Sequence, residues 1–190
     1  MAKQLMRFVA TSVLLACAAG IPAGATILQQ LTFDDMARKS TSIVRAKVTA
    51  SSEIARGGDV FTVYKFETLE ILKSGPTTSE LAVPGGVAGG LRQVVAGAPI
   101  LHAGREYVLF LWTSRSGLTQ ITGMSQGLFS VDSTSNGDRR ASRVAAGEQM
   151  LDASGHVVRD EMLSISLTEL RAKISRALSV TSARAPRTGK

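Results

Sequence analysis

One cysteine, Cys17, and two histidines, His102 and His156, are all that the 190-residue chain offers in soft or imidazole ligands. Cys17 lies in an N-terminal apolar segment, so its removal would leave a mature chain without cysteine. Disulfides, thiolate zinc sites and cysteine nucleophiles are then excluded together. No H-x-x-x-H or H-E-x-x-H spacing is present, so no local geometry pairs metal ligands, and neither a metal nor another cofactor is expected. A surplus of one charge is also largely missing. The formal +7 falls to +5 without Lys3 and Arg7, and to about +2 without the terminal Arg184, Arg187 and Lys190. That is ordinary for a soluble domain and gives no nucleic-acid footprint.

The N-terminus reads as an export signal. Lys3 and Arg7 form a positive n-region, Phe8 to Ile21 an apolar stretch too short to span a bilayer, and Pro22 ends it before the small-residue site Ala23-Gly24-Ala25. Cleavage after Ala25 predicts a secreted or periplasmic protein with no transmembrane span in the mature chain. Leu14-Leu15-Ala16-Cys17 approximates a lipobox and supports the competing reading, a lipoprotein anchored at Cys17.

Past the signal, Thr32-Phe33-Asp34-Asp35 opens a short helix to about Lys39, with acids in its first turn where the helix dipole favours them. The pattern then changes to period two: Val44, Ala46 and Val48 alternate with Arg45, Lys47 and Thr49, the mark of a half-buried strand. After the turn residues Gly57-Gly58, the run Val60 to Leu72 is rich in β-branched and aromatic residues. Tyr64 and Phe66 stand on one phase of that run and Leu69 and Ile71 on the other, which predicts a β-bulge near Glu67. Glu80 to Val83 begins another strand. Tyr107 to Trp112 is a continuous apolar run, predicted to be a strand covered on both sides at the centre of the core.

Leu118 to Thr122 and Leu128 to Val131 read as further strands, Asn136-Gly137 as a hairpin turn into Arg140 to Val144, and Met150 to Val158 as a small hairpin. Ser166-Leu167-Thr168-Glu169 is a capping box, with Ile165 and Leu170 as its hydrophobic staple. In the helix it opens, Leu167, Leu170, Ile174, Ala177 and Leu178 share a face. The expected organisation is a signal peptide over 1–25, a single β-barrel domain over 26–178 and a disordered basic tail over 179–190.

Four features invite a functional reading. Gly123-Met124-Ser125-Gln126-Gly127 spells the G-x-S-x-G of a hydrolase elbow, and Asp132, Asp138 and Asp152 precede His156 in triad order. The elbow needs a helix directly after its serine, however, and Leu128-Phe129-Ser130-Val131 is a strand pattern, so Ser125 reads as a loop residue. The glycine-rich stretch Gly85 to Gly90 lacks the ending of a P-loop and reads as a flexible barrel loop. His102 reads as part of a polar turn before Gly104. Tyr64, Phe66, Tyr107 and Trp112, with Arg45, Lys47 and Lys65, would supply stacking platforms and charge to a single-stranded nucleic acid, but read more simply as core aromatics and solvated strand faces.

The segments "LTFDDMARKSTSIVRAKV", "YKFETLEILKSG", "VPGGVAGG", "GREYVLFLW" and "GMSQGLFSV", in this order, resemble a family of uncharacterised exported bacterial proteins whose domain is in some chains joined to a metalloprotease. The layout is also similar to netrin and tissue-inhibitor-of-metalloproteinase modules, which are small OB-like barrels. Those inhibitors act through a cysteine at the mature N-terminus, which this chain lacks. The strand pattern by itself implies a mainly antiparallel sheet closed into a barrel or sandwich; with the resemblance, the expected fold is mainly β, a small antiparallel OB-like barrel with a short N-terminal helix and a C-terminal helix.

The expected function is that of an exported, non-catalytic binding domain without catalytic residues, whose partner is another extracytoplasmic protein or an envelope component. A serine hydrolase using Ser125 and a saccharide- or oligonucleotide-binding barrel are the alternatives. Mass spectrometry of the processed protein should find an N-terminus at Thr26; a diacylglyceryl mass on Cys17 would establish the lipoprotein instead.

Overall fold

The computed structural model describes residues 27–145 and 147–183. The expected signal peptide, its Ala25 site, Cys17 and the tail from 184 onward lie outside the described residues. The fold is mainly β. Its principal sheet is antiparallel throughout, in the order β13 (Leu163–Ser166), β10 (Arg139–Arg143), β9 (Leu128–Ser133), β7 (Glu106–Thr113), β2 (Ser42–Arg56), β3 (Asp59–Lys73) and β4 (Glu80–Pro84), with β8 (Thr119–Ile121) also on β7. A smaller sheet joins β1 (Leu28–Gln29), β11 (Met150–Leu151) and β12 (Val157–Val158), with β1 parallel to β11. Helices α1 (Phe33–Lys39) and α2 (Leu167–Ala183) complete the chain.

β7 is the middle strand, and its side chains explain the unbroken apolar run. Val108 and Phe110 face α1 and α2, packing in one cluster with Met36, Ala37, Leu167, Leu170 and Ile174. Tyr107, Leu109 and Leu111 point into a second cluster with Val44, Ala46, Val48, Tyr64, Phe66, Leu81 and Val83. Both faces are apolar because both are covered. Trp112 departs from the expectation: it is 45% exposed, because α1 ends at Lys39 and leaves the outer face of β7 bare at its C-terminal end.

The long β2–β3 hairpin turns at Gly57 and Gly58, both at positive φ. Its register is broken, though not at Glu67, which pairs in line with Lys47. Leu69 and Leu72 on β3 and Thr49 on β2 are passed over instead. The slip at Leu69 reverses the phase of β3. Ile71 thereby comes opposite Val44 and Glu70 opposite Arg45; Leu69 and Ile71 are nevertheless exposed, and Glu70 reaches Arg171 of α2.

There Glu70 accepts from Arg171 Nε and Nη2 at 2.8 and 2.7 Å and from Arg45 Nε at 3.0 Å. Arg45 and Arg139 both donate to Glu106. The Arg171 guanidinium, with Arg45 behind it, holds the Glu70 carboxyl below the usual range against the opposing effect of burial. This network clamps the terminal helix to four strands, through Arg45 of β2, Glu70 of β3, Glu106 of β7 and Arg139 of β10.

Local signals in the sequence act as anticipated at both helices. Thr32 Oγ1 accepts from Asp35 N–H at 3.1 Å at the start of α1. Ser166 Oγ accepts from Glu169 N–H at 3.1 Å, and Glu169 Oε2 from Ser166 N–H at 2.9 Å, closing the capping box. α2 continues through Ala183, past the expected domain limit at Leu178. The Gly85 to Gly90 stretch is not an irregular loop: β5 (Gly86–Ala88) and β6 (Leu91–Gln93) form a hairpin. It is held against the long hairpin by Glu53, which accepts from Val87 N–H at 3.0 Å, and by Gln93, which accepts from Val60 N–H at 2.7 Å.

A closed barrel is not found. The sheet curls until Cα atoms of the edge strand β4 come within 8 Å of β8, yet the two are not hydrogen-bonded partners. Phe110, at 0% exposure in β7, sits where both helices meet the sheet, so Phe110→Ala should lower the unfolding free energy by about 3–5 kcal/mol. Asn136→Ala should cost much less, since Gly137 and not Asn136 takes the left-handed conformation in its turn. Urea denaturation of the two variants checks the contrast.

Candidate functional site

β8 and β9 lie on the same edge of β7, one after the other: β8 pairs with Leu111 to Thr113 and β9 with Glu106 to Leu109. They are one strand interrupted opposite Phe110. The chain leaves the sheet after Thr122, whose N–H still donates to Phe110 O at 2.8 Å, and returns at Leu128. Between them runs the G-x-S-x-G segment, a 3-10 turn over Met124–Gly127. A Cβ on Gly127 would stand 2.4 Å from Thr122 O. Only glycine lets the two ends of the excursion close so tightly.

The excursion is pinned from within. Gln126, 1% exposed, accepts from Leu31 N–H at 2.8 Å and donates from Nε2 to Gln29 O at 3.0 Å, fixing the chain between β1 and α1. Thr122 Oγ1 lies 2.9 Å from Ser40 Oγ, which donates to Met36 O in α1. Ser125 has no such role. Its Oγ is shielded from solvent and has no hydrogen-bond partner among the described residues.

Ser125 lines a cleft of about 580 Å³ together with His102, Arg105, Tyr107 and Glu148. His156 is not in that cleft. It projects from the β11–β12 hairpin with its side chain 80% exposed and Nδ1 3.5 Å from Asp152 Oδ2. Asp132 is paired with Arg105 at 2.7 Å, and Asp138 lies at the turn before β10, lining a separate cleft with Arg139 and Arg140. The carboxylates and the histidine that follow Ser125 in sequence are thus distributed over three places. His102 occupies the turn before Gly104, as its sequence context suggested, with its N–H donating to Tyr107 Oη at 3.0 Å.

On the other side of the excursion lies a groove of about 500 Å³ along the seam between β4 and β8. Val83 and Pro84 of β4, Ile121 of β8, Leu31, Pro99, Met124 and the exposed Trp112 make it apolar, with Gln120 and Lys39 as polar groups on its lining. Met124 holds φ at 59°, the one non-glycine residue in the left-handed region among those described. Strain of this kind is of order 1–3 kcal/mol, and its location is informative because such outliers gather at ligand sites.

The Lys39 ammonium has no hydrogen bond or ion pair among the described residues. Lys73 has already taken the carbonyls at the end of α1: its Nζ donates to Ala37, Arg38 and Ser40 O, while burial draws its pKa below the ordinary lysine value.

Of the four aromatics considered as stacking platforms, Tyr64, Phe66 and Tyr107 are at most 5% exposed. They belong to the core, and Trp112 alone presents a surface. The sequence concealed this groove, because Trp112 ends a run whose other members are buried and the strain at Met124 depends on a chain excursion that no local pattern announces.

Gln126→Ala should destabilise the fold by about 1–3 kcal/mol for each backbone group it orphans, whereas Ser125→Ala should leave stability unchanged or slightly raised. Thermal melts with amide exchange at Leu31 measure both. Comparison of the chain with protein-family profiles, curated proteins and solved structures finds no match to any of them.

Proposed function

We propose that this chain is an exported, non-catalytic binding domain, an incompletely closed OB-like barrel that takes an extracytoplasmic protein or an envelope component into the groove at its seam. The observation that carries the reading is Trp112. An indole 45% exposed at the end of a strand whose preceding four residues are wholly buried presents apolar surface, with a strained Met124 opposite and free edge strands on either side. Apolar grooves with a few convergent polar groups are the usual form of a ligand site. The curl that brings β4 beside β8 supports the barrel reading, and the order of n-region, apolar segment and Ala23-Gly24-Ala25 supports export. The resemblance to exported bacterial domains of netrin-like layout agrees with both.

The hydrolase alternative has less behind it. Ser125 precedes a strand rather than a helix, its hydroxyl has no partner among the described residues, and His156 belongs to another hairpin. The mature protein should take no label from a fluorophosphonate probe beyond that seen for Ser125→Ala. In a pull-down from an envelope fraction, the wild type should retain material that Trp112→Ala does not. Stoichiometric labelling that Ser125→Ala abolishes would overturn the reading, as would retention indifferent to Trp112.

A further inference from the structure

The chemistry of the groove narrows its ligand, provided that it is the binding site. A groove of about 500 Å³ lies within the usual range for small-molecule sites. It is apolar along β4, β8 and Met124, and among the described residues Lys39 is the only charged one on its lining. That ammonium makes no hydrogen bond or ion pair among the described residues, and feels only the Asp35 carboxylate at longer range on the same helix. Its helix does not need it, since Lys73 already satisfies the terminal carbonyls.

An apolar lining that carries one cation outside any ion pair is complementary to a molecule with an apolar tail and a single anionic head. We propose that the groove binds a free, single-chain carboxylate amphiphile of the fatty-acid class. The tail lies between Val83, Ile121, Met124 and Trp112, and the carboxylate meets Lys39, with the Gln120 side chain as a further donor.

Two other occupants fit less well. An extended peptide added as a strand between β4 and β8 needs about 9–10 Å between their backbones, twice the inter-strand spacing. Cα atoms of these strands already approach within 8 Å. A bilayer surface calls for several basic residues around the apolar patch, and the lining supplies one. Met124, unbranched and polarisable, suits a chain of variable length.

The experiment uses Trp112, the only tryptophan in the chain, as its own reporter. Decanoate and decanol are titrated against the mature protein below their aggregation limits, following Trp112 emission, with calorimetry as a second readout. Decanoate should saturate with a blue shift and bind about tenfold more tightly than decanol, the factor expected for one charge-assisted contact. Lys39→Gln should weaken decanoate by the same factor, leave decanol unchanged and so abolish the preference. Lys47→Gln, on β2 outside the groove, should alter neither.

Equal binding of the two ligands to the wild type, or decanoate affinity unaffected by Lys39→Gln, would overturn the assignment. Binding to phosphatidylglycerol vesicles without binding of decanoate would overturn it in favour of a membrane surface. If neither amphiphile binds while envelope capture still depends on Trp112, the ligand class is wrong and the binding-domain reading stands. If both fail, the groove is not the site.

Discussion

Burial of β7 on both faces is the constraint from which the rest of the molecule follows. Four consecutive residues, Val108 to Leu111, have no exposed surface, and no single layer of structure can achieve that for a strand. One face needs helices and the other needs the sheet to fold over on itself. α1 and α2 supply the first cover, and the curl of β2, β3 and β4 supplies the second. The curl carries β4 round to β8, so a groove at the seam is a geometrical result of covering β7. The ion network of Arg45, Glu70, Glu106, Arg139 and Arg171 lies on the helix side of the same sheet. Its partly exposed pairs add modest energy individually, but they fix the angle at which α2 meets the strands.

The G-x-S-x-G segment takes its meaning from this arrangement. A neighbour strand running uninterrupted along β7 would have left no site at the seam. Looping out opposite Phe110 lets the chain place Gln126 inward, where it holds the segment before α1, and Met124 outward, where it forms a wall of the groove. The two glycines serve different ends: Gly123 at φ 70° lets the chain depart, and Gly127 closes the neck against Thr122. The serine between them is incidental to both tasks. A motif defined by two glycines and a serine was therefore a true signal of unusual backbone, here a 3-10 turn that leads into a strand.

What could be read in the sequence was whatever depends on near neighbours. The alternation through Val44, Ala46 and Val48, the capping box at Ser166 and the hairpin at Gly137 are each determined within a few residues, and each is found. What could not be read depends on partners far along the chain. The exposure of Trp112 is decided by where α1 stops, some seventy residues earlier (Lys39). The bulge was legible as a broken phase, but its position at Leu69 is set by the need to turn Glu70 toward Arg45 and Arg171. The glycine-rich stretch folds as a hairpin because Glu53 and Gln93 capture its backbone and that of β3, contacts that composition does not reveal. Pairing of β1 with β11 joins segments more than a hundred residues apart and left no local trace.

The groove and the N-terminal segment are mechanically one unit, and this has consequences for binding. Leu31 forms part of the groove and its N–H is held by Gln126; Met124, two residues before Gln126, forms the opposite part. Lys39 closes the helix that Leu31 leads into, and that helix is tied to the excursion through Ser40 and Thr122. A ligand contacting Met124, Leu31 and Lys39 would therefore bridge three pieces of chain that Gln126 and Thr122 already hold together, so little ordering cost remains to be met on binding. The strain at Met124 is sustained by the same bonds. Rigidity at the neck of the excursion and apolar exposure at its rim are two aspects of one device, which presents Trp112 and Met124 to solvent without letting the sheet close over them.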